Sequence, residues 1–427
     1  MKGKIVFPTV RNLIAILIFA SIGLAQSLTA EERKIMDAVD ANFANALVLL
    51  ERTVNIESPT ENLVGVKQVG SLLMQEFNAI GMKTRWIEMP AGMKSAGHMY
   101  AETAGSKGKR LLLLGHLDTV LYGEKFRREG DKAFGTGTAD MKSGNMVIYL
   151  ALKALQSAGA LRDTQVKVLL TGDEEDAGVP VATSRASMID AAKNSDVVLS
   201  FENGGAGIAT VARRGYSDWQ IEVTAKTGHS SAIFKESMGS GAIFEASRIL
   251  NEFYTTLKDE KYLTFNPSII SGGTEVNVDG AALSATGKGN VVPARVIVRG
   301  DLRFISEEQK AAARAKMTEI VSRSLPGTSA KITFRDEFPA MSPKASNYEL
   351  LQQLDKVSQD LGMGKIEPLD PGERGAGDIS FVADLLPALD GLGATGGGSH
   401  AKGEYVDLNT LPQQTKRAAL LIYRLTR

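Results

Sequence analysis

Leu111-Leu112-Leu113-Leu114-Gly115-His116-Leu117-Asp118 decides how the rest of the chain is read. Four consecutive leucines leave no polar side, so the stretch predicts a strand covered on both faces, as in parallel sheets flanked by helices. The run then turns polar at His116. In extended backbone, residues two apart project to the same side, so Asp118 can accept a hydrogen bond from the His116 ring. Such a bond fixes the tautomer of a metal-ligating histidine and raises its basicity. A histidine and an aspartate two apart are also often a solvated strand end, so the motif needs company.

Outward from this strand the pattern alternates. Upstream, Ile35, Val39, Phe43, Leu47 and Leu50 recur at helical spacing from Thr29 on. A second helix is predicted over 61–80, stopping at Gly81. Strand-like runs occupy 84–89, 99–103 and 110–114, and a helix over 142–157 precedes strands at 165–170 and 196–201. Helices alternating with buried strands predict an α/β catalytic domain, with a mostly parallel sheet and helices on both faces. After Arg213-Arg214 the texture changes: 218–225 and 294–304 alternate apolar and polar, as antiparallel strands with one wet face do. A helix over 243–257 lies between them, and another follows, with Ser306 as N-cap and Gln309 three residues on. The block 213–330 therefore reads as a smaller inserted α+β domain. The larger domain is expected to comprise 26–212 and 331–427, ending in an amphipathic helix over 411–425.

Composition excludes several classes. Forty-nine basic residues balance forty-nine acidic ones, so the electrostatic footprint of nucleic-acid binding is missing. A hydrophobic content of 43% with 23% charged residues describes a globular protein. There is no cysteine, which excludes thiolate metal sites and cysteine nucleophiles. At the start, Lys2, Lys4 and Arg11 precede an apolar run over 13–25, short of the ~20 residues that span a bilayer. These flanks fit a secretory signal cleaved before Gln26, implying an exported, periplasmic or secreted protein with no membrane association afterwards. The alternative is an uncleaved anchor.

Four further fragments accompany His116. Asp140 follows Gly135-Thr136-Gly137-Thr138-Ala139; alone, it would be read as the N-cap of the next helix. Glu174-Glu175 follows an apolar strand, where open α/β sheets place their sites, although paired glutamates are commonly just an acidic turn. Glu202 ends another apolar strand, a context in which an unpaired carboxylate is costly. His400 follows Gly396-Gly397-Gly398-Ser399. Two histidines and three carboxylates suit zinc, with carboxylates also suiting manganese or cobalt.

In order and context these fragments resemble the co-catalytic metallopeptidases that include glutamate carboxypeptidase, aminoacylase, acetylornithine deacetylase and succinyl-diaminopimelate desuccinylase. The resemblance runs over nearly the whole chain after the signal-like segment. It implies two zinc ions, one held by His116 and Glu202, the other by Glu175 and His400, with Asp140 between them. It leaves Glu174 as a general base and Asp118 as the partner of His116. In the inserted domain, His229 resembles a lid histidine that reaches the partner subunit's site, implying a homodimer. Asn290 and Arg303 match a substrate-binding pair, with Asn277 a rival for Asn290, and Gly377 lies in a glycine-rich substrate loop. Read alone, His229 is a surface-loop histidine and Arg303 a snorkelling strand arginine, and His98 fits no role. The implied activity is release of a C-terminal residue, glutamate among the candidates, from a small peptide or N-acyl amino acid. Alternatives are an N-acyl amino acid deacylase and, more distantly, an inactive periplasmic binding protein, which would have no use for Glu174. A second carboxylate-binding arginine does not align around Arg335.

Overall fold

A computed structural model describes residues 28–427. The expected signal segment 1–25 lies outside them. The leucine run forms the strand Lys107–His116, inside a six-stranded sheet. In spatial order its strands are Lys83–Ile87, His98–Glu102, Thr164–Thr171, Lys107–His116, Val197–Ser200 and Ala388–Leu389. The last four run parallel, and the first two form an antiparallel edge.

Side-chain alternation explains the all-apolar run. Leu111 and Leu113 point into a core built with the helices Ala30–Val54, Ser143–Ser157 and Thr410–Leu425. Leu112 and Leu114 point the other way, onto Met188, Ala191, Ile379 and Val382. All four leucines are at most 1% exposed, so neither face could tolerate a polar residue without leaving it unpaired. The first helix is capped as its sequence suggests: Glu32 N donates to Thr29 Oγ1 while Thr29 N donates to Glu32.

A second, four-stranded antiparallel sheet orders Thr264–Gly273, Arg295–Phe304, Gly215–Ala225 and Thr328–Phe338. The helices Ala242–Leu257 and Glu307–Ser322 cover one face, where Trp219, Ile221 and Val223 meet Phe253, Ala313 and Met317. Here the expected return to the large domain at Lys331 is corrected. Thr328–Phe338 pairs along its length with Gly215–Ala225, and Ala330, Ile332 and Phe334 pack on the small core, so the return comes after Phe338. One capping detail also differs, because Gln309 accepts from Ile305 N instead of Ser306 N.

Among the described residues, no helix is long and apolar enough to cross a membrane.

Candidate metal centre and active site

Parallel strands bring the candidate residues to one edge. His116 is the last residue of its strand, Glu174 and Glu175 follow Thr164–Thr171, and Glu202 follows Val197–Ser200. Asp140 is not a helix cap: the helix Ser143–Ser157 begins beyond it, without a side-chain cap. Its carboxylate is instead divided between the two histidines. Oδ1 lies 3.1 Å from His116 Nε2, and Oδ2 lies 3.2 Å from His400 Nε2. Glu202 Oε1 approaches His116 Nε2 at 3.7 Å, and Glu175 Oε2 approaches His400 Nε2 at 3.2 Å.

The donor atoms of His116, Asp140 and Glu202 all lie within 4.8 Å of one another, as do those of Asp140, Glu175 and His400. A third grouping, His116–Glu174–Glu175, overlaps these. The pair sharing Asp140 uses each histidine once and leaves Glu174 over. These donors fit divalent cations, because Glu175 Oε1 is buried without a hydrogen-bond partner. Charge crowding points the same way. Burial, then the Asp140 charge, pushes Glu202 up to about 8. Burial likewise raises Glu175, and it lifts Glu174 well above the usual carboxylate range, with the Glu202 and Asp378 charges adding to it. Burial and like charge thus work against the ionised forms of Glu174, Glu175 and Glu202, and bound cations would relieve both.

Several groups hold this geometry. His116 Nδ1 donates to the Asp118 carbonyl at 3.0 Å, with the Asp118 carboxylate at 3.4 Å, so the backbone shares the role assigned to that side chain. The carboxylate itself receives Glu174 N and Glu175 N, both at 3.1 Å, and Thr60 Oγ1 at 2.7 Å. Asp118 thus ties the His116 strand to the paired glutamates. His400 sits at φ 63, a left-handed conformation uncommon outside glycine and frequent where function demands a direction.

Other supports were not legible from sequence. Glu404 accepts from the amides of Gly137, Ala139 and Asp140 at 2.7, 2.8 and 2.9 Å and so fixes the loop that carries Asp140. Arg185 is fully buried between Asp173 at 2.6 Å and Asp378 at 2.7 Å. It links the turn before Glu174 to the glycine-rich loop. His98 is structural: its Nδ1 accepts from Gly172 N at 3.2 Å, and its Nε2 meets Ser184 O at 2.8 Å. The sole local hint was Asp378, at the end of Gly375-Ala376-Gly377-Asp378.

The remaining candidates fall into two groups. Arg303 lies beside the glycine-rich loop, with Nη1 3.6 Å from where a Gly375 Cβ would stand. Gly377 is buried against Arg213, whose guanidinium takes the Gly375 and Ala376 carbonyls at 2.7 and 2.5 Å and pairs with Asp390 at 2.7 Å. His229 and Asn290 are exposed neighbours on the small domain, joined through Ser230 N to Asn290 O at 2.9 Å and a bridge between His229 and Val291. Among the described residues, neither contacts the carboxylate cluster.

Two histidines and several carboxylates gathered where parallel strands end define a class, the metal-dependent hydrolases. The chain matches the model of peptidase family M20/M25/M40 over residues 112–424 and belongs to that family of metallopeptidases. It is 29% identical over 429 residues to carboxypeptidase G2 of Pseudomonas sp. (strain RS-16), covering 97% of this chain and 98% of that protein. It is 23% identical over 361 residues to succinyl-diaminopimelate desuccinylase of Gluconobacter oxydans, covering 81% and 89%. Among solved structures, aminopeptidase PepT from Bacillus cereus superposes with a TM-score of 0.69 at 16% identity, over 90% of this chain and 99% of that one.

Proposed function

We propose that this metallopeptidase is an exported, two-zinc carboxypeptidase that releases a C-terminal amino acid, glutamate the first candidate, from peptides or N-acyl amino acids. The observation that carries it is the divided Asp140 carboxylate, 3.1 Å from one histidine and 3.2 Å from the other, with a further carboxylate beside each. His116 and Glu202 would hold one zinc, Glu175 and His400 the other, and Asp140 both; cobalt or manganese fits the same donors. When bound, such a pair supplies Lewis-acid activation of a water and of the scissile carbonyl. Glu174 takes the proton of the attacking water and returns it to the leaving nitrogen, a role that suits a carboxylate whose pKa burial has raised. Asp118 holds His116 and the backbone of both glutamates in register. Arg303, with the Gly377 loop behind it, receives the substrate carboxylate, and Asn290, which neighbours His229, joins it from the partner subunit. The similarity to carboxypeptidase G2 along nearly the full length supports carboxypeptidase chemistry.

His229 stands apart from the cluster within one chain, which supports its contribution from a partner subunit. Ile243 and Phe244 on the helix Ala242–Leu257 are 46% and 52% exposed, beside Ile270 at 56% on the edge strand Thr264–Gly273. Such an apolar edge suits pairing with a second copy. Export is tested by N-terminal sequencing of the mature protein, expected to begin near Gln26. Catalysis is tested by amino-acid release from dipeptides, folyl-glutamate and N-acetyl amino acids. Release of a C-terminal residue supports the proposal; a fully metal-loaded protein inert on the whole panel contradicts it.

A further inference from the structure

Three consecutive apolar side chains, Val120, Leu121 and Tyr122, stand 37%, 40% and 55% exposed just beyond the His116 strand. Isolated exposed apolar residues are ordinary, but an exposed run of three is selected against unless something touches it. The run is also held firmly. Thr119 N donates to Ser58 O at 2.9 Å, Thr60 N to Thr119 O at 3.2 Å, and Thr119 Oγ1 to Leu121 O at 3.0 Å. At the other end, Glu124 N donates to Thr136 Oγ1 at 2.9 Å and Thr136 N returns to Glu124 O at 3.0 Å. Folding has therefore already met the ordering cost of displaying these side chains to solvent.

Their location gives the reason. Val120 and Leu121 line the same small cavity as Asp140, Glu175 and His400. The glycine-rich loop lies on the Glu202 side, where Arg374 bonds the carbonyl of Asn203 and Arg303 flanks Gly375. One end of the site carries Arg303 and Arg374, and the other is bordered by the exposed apolar run. An amide substrate lying across it with its carboxylate at Arg303 places the acyl group over the apolar end.

We propose that Val120, Leu121 and Tyr122 form a specificity subsite for an aromatic or bulky aliphatic group on the acyl side of the scissile amide. The assignment rests on the carboxypeptidase reading. Metal-loaded protein is assayed with N-benzoyl-glutamate and N-acetyl-glutamate, and kcat/KM for benzoyl is divided by that for acetyl. The ratio is expected to favour benzoyl in the wild type and to fall about tenfold in the Leu121→Ser/Tyr122→Ser double variant. Leu121→Phe, which keeps the surface apolar, should preserve it. A ratio unchanged by the double variant overturns the subsite while leaving the carboxypeptidase reading intact. So does a loss of dimer with both substrates slowed equally, which would place the run at a subunit interface. If wild-type protein cleaves neither substrate nor anything in the peptide panel, the carboxypeptidase reading fails and the subsite falls with it.

Discussion

Replacing Glu404 tests how the fold holds Asp140. The Glu404 carboxylate is 4% exposed and receives three amide hydrogens from the Asp140 loop at 2.7, 2.8 and 2.9 Å. Glu404→Ala leaves all three donors buried and unpaired, each costing about 1–3 kcal/mol. Even at the low end, the sum is ~3 kcal/mol, a sizeable part of the total stability of about 5–15 kcal/mol typical of a folded domain. Glu404→Gln is milder. Its carbonyl oxygen can still serve the Ala139 and Asp140 amides, but its NH₂ opposes the Gly137 amide, so about 1–3 kcal/mol is lost. Because Asp140 faces both histidines, disturbing its loop must lower both metal equivalents together. The assay is metal stoichiometry beside a denaturant melt for the wild type, Glu404→Gln and Glu404→Ala, with stability and occupancy falling in that order. A Glu404→Ala protein that keeps two metals and an unchanged midpoint would refute the reasoning.

Three further outcomes follow from the geometry. In metal-free protein, burial and the Asp140 charge raise Glu202 from 4.5 to about 8. The folded state then holds a proton that the unfolded chain releases, so stability should fall as pH rises from 4.5 to about 8, and metal loading should flatten the trend; a chelated protein that gains stability across that window contradicts this. Arg185→Met strands Asp173 and Asp378 without their buried partner and should cost about 3–5 kcal/mol by denaturant titration, whereas a loss below ~1 kcal/mol would mean that the pair is dispensable. The proposed dimer predicts that Phe244→Asp gives a monomer by sedimentation with reduced activity, and a fully active monomer would place catalysis within one chain.

Much of this architecture could be read from local pattern. The leucine run before His116 announces a strand with two dry faces, and the order of the His116, Asp140, Glu174-Glu175, Glu202 and His400 fragments points to one site. The fold then gathers these residues: parallel strands deliver His116, Glu174, Glu175 and Glu202 to one edge, and the loops carrying Asp140 and His400 close over it. What escaped was long-range pairing. Glu404 lies 264 to 267 residues from the amides it receives, and Arg185 lies 193 from Asp378. Neither leaves a periodic trace. The Lys331 boundary failed for a different reason: the strand Thr328–Phe338 is only half buried, and its alternation does not say which sheet supplies the dry side.

Glu174 and Glu175 give the most direct test of the central claim, since adjacent residues of identical chemistry are assigned opposite roles. Glu174→Gln keeps the shape of the side chain but cannot accept a proton. It should retain two metal equivalents per chain while kcat falls by roughly 10²–10⁴. Glu175→Gln should lose metal as well as rate. Metal content measured beside kcat for both variants decides between the assignments: a Glu174→Gln protein that has lost its metal, or that turns over at the wild-type rate, contradicts the account.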